Sequence, residues 1–144
     1  MSKELSDYRG ALAIVGVICL VATAIHGIWI VYMPGYAALA SLDEVQMNTI
    51  KLLNAAITLF LLHMGVFTLL VSRSGTLSHQ HVRTYAVLLG SFWMGRFLLE
   101  IFMPLKIPLL FIERPGLFAK SFMLAPVLIL LIPAARAYWR HSTP

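Results

Sequence analysis

Two charged residues, Arg96 and Glu100, interrupt an apolar stretch that is long enough to cross a bilayer. The stretch runs from Tyr85 to Met103 and reads YAVLLGSFWMGRFLLEIFM. Each charge costs about 2.5–3.5 kcal/mol near the centre of a membrane-spanning helix. Because the two residues are four positions apart, one helix face carries both, and we expect either an intrahelical ion pair or a polar site.

Three further polar or amphipathic residues are expected close to this pair. At 1.5 Å per helical residue, His26 and Asn54 fall in the same half of the bilayer as Arg96 and Glu100. Trp93 lies on the same helix face as the two charges. We therefore predict a ligand-binding recess in the outer leaflet half formed by Arg96, Glu100, His26, Asn54 and Trp93. It would hold a lipid head group, an acidic small molecule or a partner helix, and the alternative is an ion pair that only locks the bundle.

An enzymatic alternative uses the same residues. Glu100 could act as a general acid or base on a lipophilic substrate in an isomerase or oxidoreductase, with Arg96 or His26 supporting it, because burial raises the pKa of a carboxyl group. The sequence has no cysteine pair, Gly-rich phosphate loop or nucleophile elbow, which excludes the familiar thiol-redox, nucleotide and serine-hydrolase chemistries.

A second alternative is a b-type haem held by His26 and His63. The estimated depths of these two residues differ by about 7 Å, and His63 is half a turn out of phase with Asn54. We therefore predict no cofactor, and we interpret His63 as a core histidine bonded to a neighbouring helix. His79 and His81 are expected in a solvated loop and lack a third ligand, so no metal site is predicted.

Composition defines the protein class. The chain has 144 residues, of which 60% are hydrophobic and 12% charged, and its mean hydropathy is +0.85. A soluble domain carries about 25% charged residues. We predict an all-α integral membrane four-helix bundle that forms one domain over residues 1–144. Its helices are expected at about 11–33, 50–72, 84–103 and 117–136.

Local signals refine three of these helices. Ser41, followed by Asp43 and Glu44, resembles a cap that would start the second helix early. Pro126 is expected to kink the fourth helix. Trp29 lies near the end of the first apolar segment, where the helix leaves the bilayer. An aromatic residue at this position is expected to anchor the helix at the membrane interface.

The distribution of basic residues predicts the orientation. Six lie in the two tails and the loop between the second and third helices, against four on the other side: Lys3, Arg9, Arg73, Arg83, Arg136 and Arg140, against Lys51, Lys106, Arg114 and Lys120. The positive-inside rule then places both termini in the cytoplasm, with a bacterial inner membrane or the endoplasmic reticulum as the location. The net charge of +5 is scattered, which suits lipid head groups and argues against nucleic acid. Membrane lipids, other membrane proteins or a second copy are the expected partners.

The run Gly95-Arg96-Phe97-Leu98-Leu99-Glu100-Ile101-Phe102, followed by Ala125-Pro126, resembles the small four-helix scaffold family of ergosterol biosynthesis. That family has a similar third helix and a comparable length and topology, with histidine where this chain has Arg96. The resemblance implies a non-enzymatic protein that holds membrane enzymes together. We thus expect a membrane subunit, scaffold or lipophilic-ligand binder.

Overall fold

The computed structural model of the protein describes residues 3–32, 39, 41–103 and 115–142. Within these ranges the chain forms four α-helices: α1 (Lys3–Tyr32), α2 (Glu44–Arg73), α3 (His79–Phe102) and α4 (Pro115–Ser142). Each helix has a segment that is long and apolar enough to cross a membrane. The predicted all-α fold with four membrane-length helices is confirmed.

Helices α2 and α3 extend beyond their predicted apolar limits because polar caps start them earlier. Asp43, not Ser41, caps α2, and the prediction of Ser41 as the cap is wrong. The Gln46 N–H donates to Asp43 Oδ1 at 2.8 Å, and the Gln46 side chain accepts from the Asp43 N–H at 3.1 Å. This reciprocal capping box satisfies two backbone donors that would otherwise be unpaired, which confirms the early start of the helix.

A cap also starts α3 five residues earlier than predicted. The Ser78 side chain accepts from the backbone N–H of His81, so His79 and His81 lie in the first helical turn. Their predicted position in a solvated loop is wrong, because an apolar-stretch criterion cannot detect polar turns that extend a helix. Helix α4 continues without interruption through Pro126 and Pro133.

Successive helices run antiparallel, so the start of α1 and the C-terminal part of α4 lie at the same end of the bundle, where they line one cavity. Arg9 donates to the backbone oxygen of Ser74 at 2.5 Å, and Glu4 lies 3.5 Å from His79. These contacts join the start of α1 to the α2–α3 connection. We call this the termini end, and we call the opposite end, where α1 and α3 finish, the distal end.

Helix α1 packs against each of the other three helices, while α3 packs mainly along α4. The buried side chains of α1 recur at alternating steps of four and three: Tyr8, Leu12, Val15, Cys19 and Ala22. This 3.5-residue period keeps one seam of the helix facing its neighbours, as in left-handed bundles.

The outward faces of the helices are strongly apolar. Large side chains such as Leu52, Phe67 and Leu70 on α2 are exposed by more than half. In water such a continuous apolar surface would be a liability, whereas a bilayer solvates it. The pattern is that of an integral membrane protein.

Candidate functional site

The distal half of the bundle contains a two-way contact between α1 and α2. His26 Nδ1 lies 2.5 Å from Asn54 Oδ1, and Asn54 Nδ2 donates to the backbone oxygen of His26 at 3.0 Å. Asn54 is only 4% exposed. The structure therefore brings together two of the residues predicted for the recess.

These two contacts define the hydrogen-bonding state of His26. A backbone oxygen can only accept, so the Asn54 amide nitrogen must face it and Oδ1 must face the imidazole. Since Oδ1 accepts, the proton of the neutral ring lies on Nδ1. The Nε2 atom is then an acceptor, and it has no partner among the described residues.

Two adjoining cavities lie beside His26, with volumes of about 140 and 420 Å³. They share five lining residues: Ala22, His26, Arg96, Phe122 and Met123. The smaller cavity also contacts Trp29 and Glu100, and the larger contacts Trp93. We call the two cavities together the distal recess. All the predicted site residues except Asn54 line it, and Asn54 contacts it through His26.

The two charges of α3 lie in different environments. Glu100 is 3% exposed, while Arg96 is exposed at the edge of the recess. No ion pair joins Arg96 to Glu100, and Glu100 has a different interaction partner. Of the two alternatives, the ion pair between Arg96 and Glu100 is therefore wrong. The buried residues of α3 include positions 82, 86, 89, 93 and 100. Arg96 completes their alternating steps of four and three, yet its side chain remains exposed.

Aromatic rings form much of the recess wall. Phe92 contacts Trp93 and Trp93 contacts Phe122, with ring centroids 6.1 and 6.5 Å apart, and Phe118 stacks on Phe122 at 5.8 Å. Phe118 and Phe122 belong to α4, which the sequence-based prediction of the site did not include. Their separation by one helical turn is the signal that could have identified them.

Trp29 was also missed as a site residue. It was predicted to anchor the helix at the interface, yet its side chain lines the recess. Its indole N–H is buried and has no hydrogen-bond partner among the residues that the structure describes. The spacing to Ala22 and His26 continues the 3.5-residue seam of α1, so the pattern needed to place Trp29 was present in the sequence.

His63 lies outside the recess. It is exposed on α2, and its Nδ1 lies 2.7 Å from the backbone oxygen of Leu59 in the same helix. The interpretation as a core histidine bonded to a neighbouring helix is wrong. The two histidines also do not fit a shared haem, because His26 lines the recess and His63 does not. Across the described ranges, no three His, Cys, Asp or Glu residues are grouped to hold a metal ion.

Another cavity, of about 550 Å³, lies at the termini end between α1 and α4. Its charged lining includes Asp7 and Arg136, and both are exposed. A groove lined by solvated charges needs no ligand to satisfy them. The distal recess, with a buried carboxyl group and a buried unpartnered N–H, is the stronger site.

No protein-family model, curated protein or solved structure matches this chain significantly.

Proposed function

We propose that the protein binds a lipophilic small molecule, with its polar head group in the distal recess. The observation that carries this proposal is the composition of the smaller cavity. Four polar or amphipathic side chains line it, His26, Trp29, Arg96 and Glu100, and the Trp29 N–H is unpartnered in the described part of the chain. The rest of the wall is apolar and includes Phe118, Phe122 and Met123. Apolar walls with a few converging polar groups are typical of small-molecule sites.

The energetic argument concerns the polar groups at membrane depth. A buried N–H without an acceptor costs about 1–3 kcal/mol, and the Trp29 indole N–H is such a group in the described part of the chain. A purely structural core would be expected to replace it with an apolar group. A ligand that accepts a hydrogen bond from Trp29 would offset this cost.

The proposal also specifies how the protein is oriented in the membrane. We propose that both termini lie in the cytoplasm, because the sequence has six basic residues in the tails and around the α2–α3 connection against four on the other side. The recess would then lie in the outer leaflet half of the bilayer, and a membrane lipid or another lipophilic compound could enter it sideways.

Lipid extraction with a recess-filling variant tests the function. Ala22 is 5% exposed and lines both cavities, so Ala22→Phe should fill them, whereas Ala56→Phe adds the same ring to an exposed position on α2. Each protein is purified into nanodiscs, and its extract is compared by mass spectrometry with that of empty nanodiscs. We expect one compound at near-equimolar amount in the wild type and in Ala56→Phe, and at least five-fold less in Ala22→Phe.

Two outcomes would contradict the proposal. Either no compound is enriched, or the enriched compound is retained equally in Ala22→Phe. A stoichiometric polypeptide without any small molecule would favour the scaffold function instead. If Ala22→Phe does not fold, Ala119→Leu provides a smaller filling change on α4, since Ala119 also lines the recess.

A further inference from the structure

We infer that the ligand of the distal recess is an uncharged lipid whose head is a hydroxyl group on a ring. This inference rests on the proposed function and names the class of its ligand. It follows from the hydrogen-bonding groups, the charges and the rings that the recess presents.

The hydrogen-bonding groups require a head that both donates and accepts. Asn54 holds the His26 proton on Nδ1, which leaves Nε2 as an acceptor on a side chain that lines both cavities. Trp29 contributes an N–H donor without a partner in the described part of the chain. A hydroxyl group donates one hydrogen bond and accepts others, so it can satisfy both residues at once. An ether or a ketone can only accept, and neither can bond to Nε2.

The charges of the recess favour a head without net charge. Arg96 and Glu100 carry opposite formal charges on the same cavity wall. An anionic head would be attracted by Arg96 at the exposed edge but would meet Glu100 in the buried part. A cationic head would be attracted by Glu100 in the buried part but repelled by Arg96 at the edge. A neutral hydroxyl avoids both penalties in a medium of low dielectric constant.

The aromatic wall favours a ring next to the hydroxyl. Phe60, Phe92, Trp93 and Phe122 form a continuous series of ring contacts with centroids 5.6 to 6.5 Å apart, and all four line the larger cavity. Flat, rigid faces pack best against a rigid ring system, which also loses less conformational entropy than a flexible chain. An alicyclic alcohol of the sterol kind and a phenol with an apolar tail share this chemistry.

Pairs of probes that differ only by a methyl group on the hydroxyl oxygen test whether the recess binds the hydroxyl group. Cholesterol is compared with its methyl ether, and 4-nonylphenol with 4-nonylanisole, each by the amount retained on the protein in nanodiscs at increasing probe concentration. We expect one pair or both to show at least ten-fold tighter binding of the alcohol than of its ether. The pair that shows this difference identifies whether the recess binds a sterol-like alcohol or a phenol. Palmitic acid serves as the anionic probe and should bind more weakly than the preferred alcohol.

Two histidine variants test whether the preference for the alcohol over the ether depends on His26. His26→Phe removes the acceptor and should reduce the alcohol-to-ether ratio to below three, while His63→Phe, on the exposed face of α2, should leave it unchanged. If His26→Phe does not fold, His26→Gln is used, because its amide oxygen can replace Nε2 and should preserve most of the ratio.

Each failure has a distinct meaning. Equal binding of alcohol and ether, a ratio unaffected by His26→Phe, or a preference for palmitic acid would overturn this inference and leave the binding function intact. Absence of binding by every probe while an endogenous compound is still enriched would also overturn only the inference. If no endogenous compound is enriched either, both proposals fail.

Discussion

At the scale of single residues, Arg96 and Glu100 differ in burial more than in sequence context. Both interrupt the same apolar stretch, but Glu100 belongs to the buried seam of α3 and Arg96 lies on an exposed edge. We expect Glu100→Ala to lower the free energy of unfolding by about 1–3 kcal/mol, because it leaves a cavity and removes a buried polar contact. Arg96→Gln should change it by less than about 0.5 kcal/mol. Thermal unfolding in detergent measures both, and equal losses would contradict this asymmetry.

Asn54 is the residue on which the geometry of His26 depends. Asn54→Leu keeps the approximate volume but removes both contacts to α1, leaving the backbone oxygen of His26 without its amide donor. We expect a loss of about 1–3 kcal/mol in unfolding free energy. Thr58→Val is the matched control, because the Thr58 hydroxyl donates only to the Asn54 backbone oxygen of its own helix. A control variant as destabilised as Asn54→Leu would show that the interhelical contacts contribute little.

At the scale of helices, Gly16 on α1 and Gly65 on α2 allow a close approach between these two helices. A Cβ atom added to Gly65 would lie 3.0 Å from Leu20 Cδ2, 3.1 Å from Cys19 Cβ and 3.1 Å from the Gly16 backbone oxygen. Small residues permit such close packing between membrane helices. We expect Gly65→Ala to separate α1 from α2 and lower the melting temperature in detergent.

Gly95→Ala is the control for this prediction. No atom lies within 4 Å of a Cβ atom added there, so alanine should only improve helix propensity, by about 1 kcal/mol. The melting temperature should therefore fall for Gly65→Ala and stay constant or rise for Gly95→Ala. A common direction for both would indicate that helix propensity, and not interhelical packing, determines the effect.

At the scale of the whole molecule, composition and apolar run length were sufficient to predict four membrane helices and their approximate positions. The helix face through Asn54 and Gly65 was also predictable, because small and polar residues recur on it at helical spacing. The recess was only partly predictable. Whether Arg96 and Glu100 form an ion pair depends on their rotamers and on what packs over each side chain, because both lie on the same 3.5-residue seam. The contribution of α4 depends on which helices are neighbours, and periodicity within a single helix does not contain that information.

The orientation of the bundle is the last whole-molecule prediction, and it determines which leaflet supplies the ligand. The six basic residues in the tails and around the α2–α3 connection, against four on the other side, predict that the termini end faces the cytoplasm. In a Cys19→Ala background, Thr76→Cys reports on the termini end and Ser41→Cys on the distal end, since both positions are exposed. In sealed vesicles with the cytoplasmic face inside, an impermeant maleimide should label Ser41→Cys directly and Thr76→Cys only after permeabilisation. The reverse pattern would place the recess in the cytoplasmic leaflet, where a different pool of lipids would have access to His26 and Glu100.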